Sequence, residues 1–343
     1  MKQNDYKHAL PLGTRIDCYE IDSVIGSGGF GITYKALDTS LKYLVAIKEF
    51  LPAHLAWRTE TTKVVPKSTQ DHDNYHYGLN KFIEEGQTLA RFKHPNIVRA
   101  IRYFKANGTA YLVMEYEHGA SFKQFLDKNP RPSESYLLSV MTSMLSGLKD
   151  VHSADYLHRD IKPSNIYIRE NSEPLLIDFG SSRQSLNSQN QTFTRIVTEG
   201  YAPIEQYPSD LKQTPATDLY GLGATLYYAV AGKVPASSLE RFNKIQIHKI
   251  DPLIPAVEVG ADLYSQGFLK LIDWMMQVLP DHRPQSSDQI VNLIKRPGQQ
   301  TQATLSAENQ TKENQAGAAK PAKQKHVEPK PGPDQTDRKP TMP

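Results

Sequence analysis

His158-Arg159-Asp160-Ile161-Lys162-Pro163-Ser164-Asn165 packs a carboxylate, two fixed cations and an amide into eight residues. The string stands between a predicted helix, Glu134 to Ser153, and a predicted short strand at NIYIR, Asn165 to Arg169. Asp160 can accept or orient the proton of an attacking hydroxyl, and Lys162 can offset charge on a transferred phosphoryl group. Asn165 can ligate a hard cation through its side-chain oxygen. A surface loop has no need of this combination. Thirteen residues on, Pro174-Leu175-Leu176-Ile177 leads into Asp178-Phe179-Gly180. A carboxylate directly after a buried strand suits a Mg2+ ligand at the mouth of a cleft. That ion takes one or two protein oxygens beside phosphate oxygens and water.

Upstream, Gly26-Ser27-Gly28-Gly29-Phe30-Gly31 fits G-x-G-x-x-G. Alone, the pattern fits a dinucleotide-binding turn or a flexible loop as well. Here Ile32-Thr33-Tyr34-Lys35 continues as a strand rather than a helix, so the glycines sit in a strand–turn–strand. Their backbone N–H groups can then approach phosphate oxygens with no Cβ in the way. Lys48 follows Gly31 by seventeen positions, within Val45-Ala46-Ile47-Lys48. A lysine in an apolar strand is costly unless paired, and strand alternation points it where Ala46 points, towards the cleft. Its candidate partner is Glu85, on a helix predicted over Asn80 to Phe92. The neighbouring Glu84 faces elsewhere and is expected to be solvated.

YEIDSVI, GITYKAL and YLVAIKEF read as an antiparallel meander, and NIVRAIRYF and TAYLVMEY as two more strands joined at Ala106-Asn107-Gly108. His94-Pro95-Asn96 is the stop for the preceding helix. After Gly119 helices take over, first SFKQFLDK, then Glu134 to Ser153, then long helices from Thr217 to Lys295. A mostly β first part and a mostly α second part predict an α+β, bilobal fold with a cleft between the lobes.

The set of motifs resembles the eukaryotic-type (Hanks-type) serine/threonine protein kinase family, from about Tyr19 to Lys295. The resemblance implies a small antiparallel-sheet lobe with one helix at residues 19–116. It also implies a larger, mostly helical lobe at 117–296. Residues 1–18 become an N-terminal extension. Residues 297–343, rich in Gln, Lys and Pro, bury too little apolar surface to order themselves and are expected to be disordered. The cofactors implied are ATP and Mg2+. Gly26, Gly28 and Gly31 would cover the phosphates, and Lys48, paired with Glu85, would grip the α- and β-phosphates. Asp160 would be the catalytic base or orienting acid, with Lys162 on the γ-phosphate and Asn165 and Asp178 on the metal. Met114 would be the gatekeeper, the backbone from Glu115 to Glu117 would meet the adenine edge, and Ile25, Thr33, Ala46 and Tyr167 would line its pocket.

Further along, Gly200-Tyr201-Ala202-Pro203-Ile204-Glu205 resembles the end of an activation segment, with Ile204 where the family has proline. Glu205 is expected to pair with Arg283, and Asp218 to anchor the backbone of the catalytic loop. Lys162 after Asp160, with Thr198 ahead of Gly200-Tyr201, resembles the serine/threonine branch. Thr194, Thr192, Ser185 and Ser188 are candidate autophosphorylation acceptors, and Arg159 is a cation that such a phosphate engages. The partners implied are proteins with Ser/Thr acceptors, and a second copy of the chain in transient self-association for trans-autophosphorylation.

Three positions depart from the family pattern. Lys48 and Glu85 are 37 residues apart, about twice the usual spacing, and the excess lies in Pro52 to Tyr77. Its EFLPAHLAWR string resembles a bacterial branch of the family, and its His54, His72 and His76 read as surface residues rather than metal ligands. Thr33 replaces a valine over adenine. Tyr167 replaces a leucine-like pocket floor, which narrows nucleotide or inhibitor choice.

Composition bounds the alternatives. The 343 residues carry 40 basic and 37 acidic side chains, a balance that argues against a charge-driven nucleic-acid binder. Cys18 is the sole cysteine, which excludes an internal disulfide and a cysteine metal cluster, and fits a reducing, cytoplasmic setting. The N-terminus carries no signal-peptide pattern. The uncharged run from Leu219 to Lys233 falls short of the roughly 20 residues that span a bilayer, and reads as a buried helix with no transmembrane segment expected. Two rivals share the motifs. A pseudokinase would lack one of Lys48, Asp160 and Asp178, and a small-molecule kinase would not need the Glu205 and Arg283 features.

Overall fold

A computed structural model describes residues 8–179, 183–184, 198–208 and 210–295. Gly180, the candidate acceptors Ser185, Ser188, Thr192 and Thr194, the first seven residues and the tail from 296 lie outside the described residues.

The first part is a six-stranded antiparallel sheet. Its strands are β1 (Arg15–Ile16), β2 (Tyr19–Gly28), β3 (Gly31–Asp38), β4 (Tyr43–Phe50), β7 (Ala100–Ala106) and β8 (Thr109–Glu115), in the order β1-β2-β3-β4-β8-β7. Strict alternation along β3 buries Ile32, Tyr34, Ala36 and Asp38 on one face. Register places Thr33 opposite Lys48, Lys48 opposite Leu112, and Ala46 opposite Met114. Residues paired across strands share a face, so these side chains line the surface opposite Tyr34. The β7–β8 turn holds Asn107 at φ 50° and Gly108 at φ 72°, the left-handed pair that a tight hairpin requires.

Between β4 and β7, the sequence-predicted helix begins nine residues earlier than expected. A small hairpin of β5 (Ala56–Arg58) and β6 (Val64–Pro66) is followed by α1, Asp71–Leu89. The Asp-His-Asp-Asn-Tyr-His-Tyr-Gly stretch has weak intrinsic helix preference, so its local signal is confined to the acidic first turn. Tertiary contacts override that. Tyr75, Leu79, Phe82 and Ile83 form a continuous buried stripe, and Asp71 and Asp73 in the first turn complement the helix dipole. A Cβ on Gly78 would stand 2.8 Å from the Phe50 ring, so the glycine allows close packing there. The helix ends at Leu89, three residues before Phe92, in a run of turn hydrogen bonds.

The second part holds short strands and helices: β9 (Gly119–Ser121), α2 (Phe122–Lys128), α3 (Glu134–Ser153), β10 (Tyr156–Leu157), β11 (Ile166–Arg169), β12 (Pro174–Leu176) and β13 (Arg183–Gln184). Then come α4 (Pro215–Ala231), α5 (Ser238–His248), α6 (Ala256–Val259), α7 (Gln266–Met275) and α8 (Ser287–Ile294). Of the helices after Thr214 only α4, with 17 residues, is long, so the expectation of long helices from Thr217 to Lys295 holds for one element. The rest are cut by Gly232, Pro252, Pro255, Gly260 and Pro280. Fourteen of the 17 residues of α4 are buried, which makes it the central post of this part. Among the described residues, no helix is long and apolar enough to cross a membrane.

Candidate active site

Lys48 leaves β4 on the face shared with Thr33 and Ala46. Its ammonium lies 3.1 Å from Glu85 Oε1 and 2.6 Å from Asp178 Oδ1. Burial alone would pull the pKa of Lys48 down. The charges of Asp178 and Glu85 outweigh that and hold it above its usual value. Burial also raises the pKa of Glu85, while Lys48 opposes the rise. Glu84, one position away, is exposed and pairs with Lys81 at 2.6 Å. A difference of one residue on the helix thus separates a buried ion pair from a solvated one.

The His158–Asn165 string forms a loop whose conformation is imposed from below by α4. Asp218, fully buried, accepts the backbone N–H of His158 at 2.9 Å and of Arg159 at 2.7 Å. His152 Nε2 lies 2.8 Å from the same carboxylate. Burial would raise the pKa of Asp218, but the hydrogen bond and charge of His152 hold it below the usual carboxylate value. Arg159 has a left-handed φ of 68°, strain of the kind that gathers at functional loops.

Above this anchor, Asp160 is held on several sides. Asn165 Nδ2 donates to Asp160 Oδ2 at 2.9 Å and to its carbonyl at 2.8 Å. Lys162 Nζ lies 2.8 Å from Oδ2, and the Thr198 hydroxyl donates to Oδ1 at 3.0 Å. The amide oxygen of Asn165 accepts from the Ser164 hydroxyl at 3.4 Å. Ile177 N donates to the Asn165 carbonyl at 2.9 Å, which brings the residue before Asp178 beside the loop. Asp178 itself has φ 63°. Phe179 is buried 4.6 Å from the His158 ring and 6.0 Å from Phe92, which keeps Asp178 turned towards Lys48.

The glycine string spans the β2–β3 hairpin, with Gly28 opposite Gly31. A Cβ on Gly31 would fall 1.9 Å from the Glu49 carbonyl, so the sheet itself demands glycine there. A Cβ on Gly28 would meet nothing within 4 Å, and one on Gly26 only Thr33 at 3.8 Å. Packing explains neither of those two. Ile25 is half exposed beside a bulge in β2. At the other edge, Met114 pairs with Ala46, and the Tyr167 hydroxyl donates to the Glu117 carbonyl at 3.3 Å. The carboxylate of Glu117 pairs with Arg169 at 3.0 Å, and that of Glu115 with Arg99 at 3.2 Å. Both acidic side chains are thus engaged by cations.

Lys48, Glu85 and Asp178 therefore meet directly, as do Asp160, Lys162 and Asn165, and the Asn165–Ile177 bond joins the two groups. Thr198, which the sequence offers only as a branch marker, is a site residue by position. So are His152, which the sequence does not single out, and His158, which opens the quoted string without a role of its own. Deeper in, Arg283 makes a bidentate pair with Glu205 at 2.6 and 3.0 Å, both side chains fully buried. Its remaining donors reach the carbonyls of Gln277 and Val278, each at 2.6 Å, and of Ala216 at 3.3 Å. The histidines of the 52–77 segment form no metal-binding group of three or more among the described residues.

A family model described as "Protein kinase domain" matches residues 19–293. Serine/threonine-protein kinase B of Synechocystis sp. is 28% identical over 295 residues, covering 81% of this chain and 46% of that protein. Serine/threonine-protein kinase D of the same organism is 32% identical over 259 residues, 71% and 47% of the two chains. The solved apo form of PpkA-294 matches with a TM-score of 0.74 and 34% identity, over 84% of this chain and 99% of that one. The chain spans about half the length of the curated relatives it matches. With the glycine hairpin, the Lys48–Glu85 pair and the Asp160 loop all inside the matched region, the chain belongs to the protein kinase domain family.

Proposed function

We propose that this chain is a protein serine/threonine kinase that transfers the γ-phosphoryl group of Mg-ATP to Ser/Thr hydroxyls of proteins, its own activation segment included. The observation that carries this is the meeting of Lys48, Glu85 and Asp178 beside a loop in which Asp160, Lys162, Asn165 and Thr198 are mutually bonded. The clustering of Lys48, Asp178, Asp160, Lys162 and Asn165 favours this reading over a pseudokinase.

The nucleotide and metal fit the residues present. Open space over Gly26 and Gly28 leaves a cradle that a Cβ would fill, and the N–H groups there suit phosphate oxygens. The Asp178 carboxylate and the Asn165 amide oxygen are the donor types that Mg2+ favours and would hold it, and the ion would supply charge neutralisation on the phosphates. Lys48, kept cationic by its two acidic neighbours, would hold the α- and β-phosphates. Asp160 would orient the acceptor hydroxyl and take its proton as the oxygen–phosphorus bond forms and ADP leaves. Lys162 stands beside it to offset charge on the moving group. Met114, Ala46, Thr33, Ile25 and Tyr167 would enclose the purine, with the Glu115–Glu117 backbone along its edge.

The expected protein acceptors follow from the names of the serine/threonine kinase relatives. A cytoplasmic setting is part of the same proposal, resting on the single cysteine. Purified full-length chain incubated with Mg-ATP and a generic Ser/Thr-rich protein tests it. Mass increments of one phosphoryl group on Ser or Thr are expected, lost in Asp160→Asn with ATP affinity retained. In Asp178→Ala productive Mg-ATP binding itself should be lost. Unchanged transfer in both variants would overturn the proposal.

A further inference from the structure

The segment from Pro52 to Tyr77, which the general family pattern does not contain, is bolted to the sheet at three places. The first is a buried carboxylate. Glu49 follows Lys48 in β4 and therefore points to the opposite face, where it is completely buried. Tyr34 Oη donates to its Oε2 at 2.8 Å and Tyr111 Oη to its Oε1 at 2.7 Å. The third donor is Arg58, at the end of β5 in the inserted hairpin. The same guanidinium donates to the carbonyls of His8 and Thr62, each at 2.8 Å, and so gathers three separate strands of chain.

The second attachment is backbone to backbone. Val64 N in β6 donates to the Asn107 carbonyl at 2.8 Å, and a Cβ on Gly108 would fall 2.5 Å from the Val64 carbonyl. The third reaches the helix. Tyr75 Oη donates to the Gly108 carbonyl at 2.8 Å, and its ring lies 5.5 Å from Phe50. Phe50 in turn lies 5.6 Å from Phe82, and the Lys48 ammonium is 5.9 Å from the Phe82 ring. Phe82 precedes Glu85 by three positions and lies on the same stripe of α1. From Tyr75, a continuous line of contacts therefore runs through Phe50 and Phe82 to the Lys48–Glu85 pair.

We propose that this segment is a brace that fixes α1 against the sheet and so sets the position of Glu85, with Arg58 and Tyr75 as positioning residues for phosphoryl transfer. It rests on the reading of Lys48 and Glu85 given above. The physical need is plain. Glu85 is buried, and a buried carboxylate separated from its lysine is costly, so the pair persists only where the helix is held at one distance. The two additional turns at the start of α1 and the hairpin supply that hold from within the chain. A helix begun at Asn80 would lack the Tyr75 contacts altogether.

The test is a thermodynamic cycle on the full chain, with kcat and the KM for ATP measured for Tyr75→Ala, Glu85→Gln and the double variant. If Tyr75 acts through Glu85, Tyr75→Ala lowers kcat about tenfold alone but less than about twofold in the Glu85→Gln background. Equal losses in both backgrounds would mean general destabilisation and overturn the brace, as would an unaltered kcat in Tyr75→Ala. If Glu85→Gln itself keeps wild-type kcat, the role given to the ion pair fails first, and the brace with it. Should Tyr75→Ala not fold, Tyr75→Phe and Arg58→Lys carry the same cycle. Each removes hydrogen bonds while keeping the ring or the charge.

Discussion

The hydroxyl of Thr198 donates to Asp160 Oδ1 at 3.0 Å and accepts from Lys162 Nζ at the same distance, across separations of 38 and 36 residues in sequence. One hydroxyl thus couples the segment before Gly200 to the loop that carries the proposed base. Thr198→Ala should lower kcat by about two orders of magnitude, the scale seen for one positioned donor, with little change in ATP affinity. Thr198→Ser should restore most of the rate. Steady-state kinetics of the three proteins decide the matter, and a wild-type kcat in the alanine variant would refute it.

The three glycines of the β2–β3 hairpin should separate by function. Gly31→Ala drives a methyl into the Glu49 carbonyl and should cost stability, read as a lower melting temperature without nucleotide. Gly28→Ala meets open space and should leave melting unchanged, yet raise the KM for ATP. Identical behaviour of the two variants in both measurements would contradict the phosphate-cradle assignment.

The buried Glu205–Arg283 pair lies far from Lys48 in the sequence and makes no proposed contact with nucleotide. Removing one partner leaves an uncompensated buried charge. Arg283→Ala should therefore destabilise the fold by about 3–5 kcal/mol in denaturant titration. A change under about 1 kcal/mol would show that Glu205 finds other partners.

Stability should also depend on pH through His158. Burial holds its pKa below the ordinary 6.5, and its Nδ1 accepts the Asp160 N–H at 3.3 Å, which a protonated ring could not do. Between the lowered folded value and 6.5, the unfolded chain binds more protons than the folded one. This contribution is therefore fully present above the unfolded pKa and is lost as pH falls through that window. Melting temperature from about pH 7.5 to about 5 should drop more steeply for the wild type than for His158→Gln, which does not titrate there. Parallel profiles would contradict this.

Much of this protein was legible in its residues, for reasons that can be named. Strand alternation put Lys48 and Ala46 on one face, and helical geometry chose Glu85 over Glu84, since both depend only on local periodicity. The Asn107-Gly108 turn and the buried character of the Leu219–Lys233 run were likewise written in local chemistry. The early start of α1 was not. Its first turns carry residues with little helical preference, and contact with Phe50 and Gly108 packs them against the sheet. Nor could spacing show that Thr198 touches Asp160, or that Arg58 reaches the buried Glu49. Those contacts join residues distant in the chain, and no local pattern encodes which donors will meet around a desolvated carboxylate. The amino-acid order determined the elements and the chemical groups on offer. The tertiary structure decided which groups share a site, because burial and hydrogen-bond satisfaction are settled only when the whole chain packs.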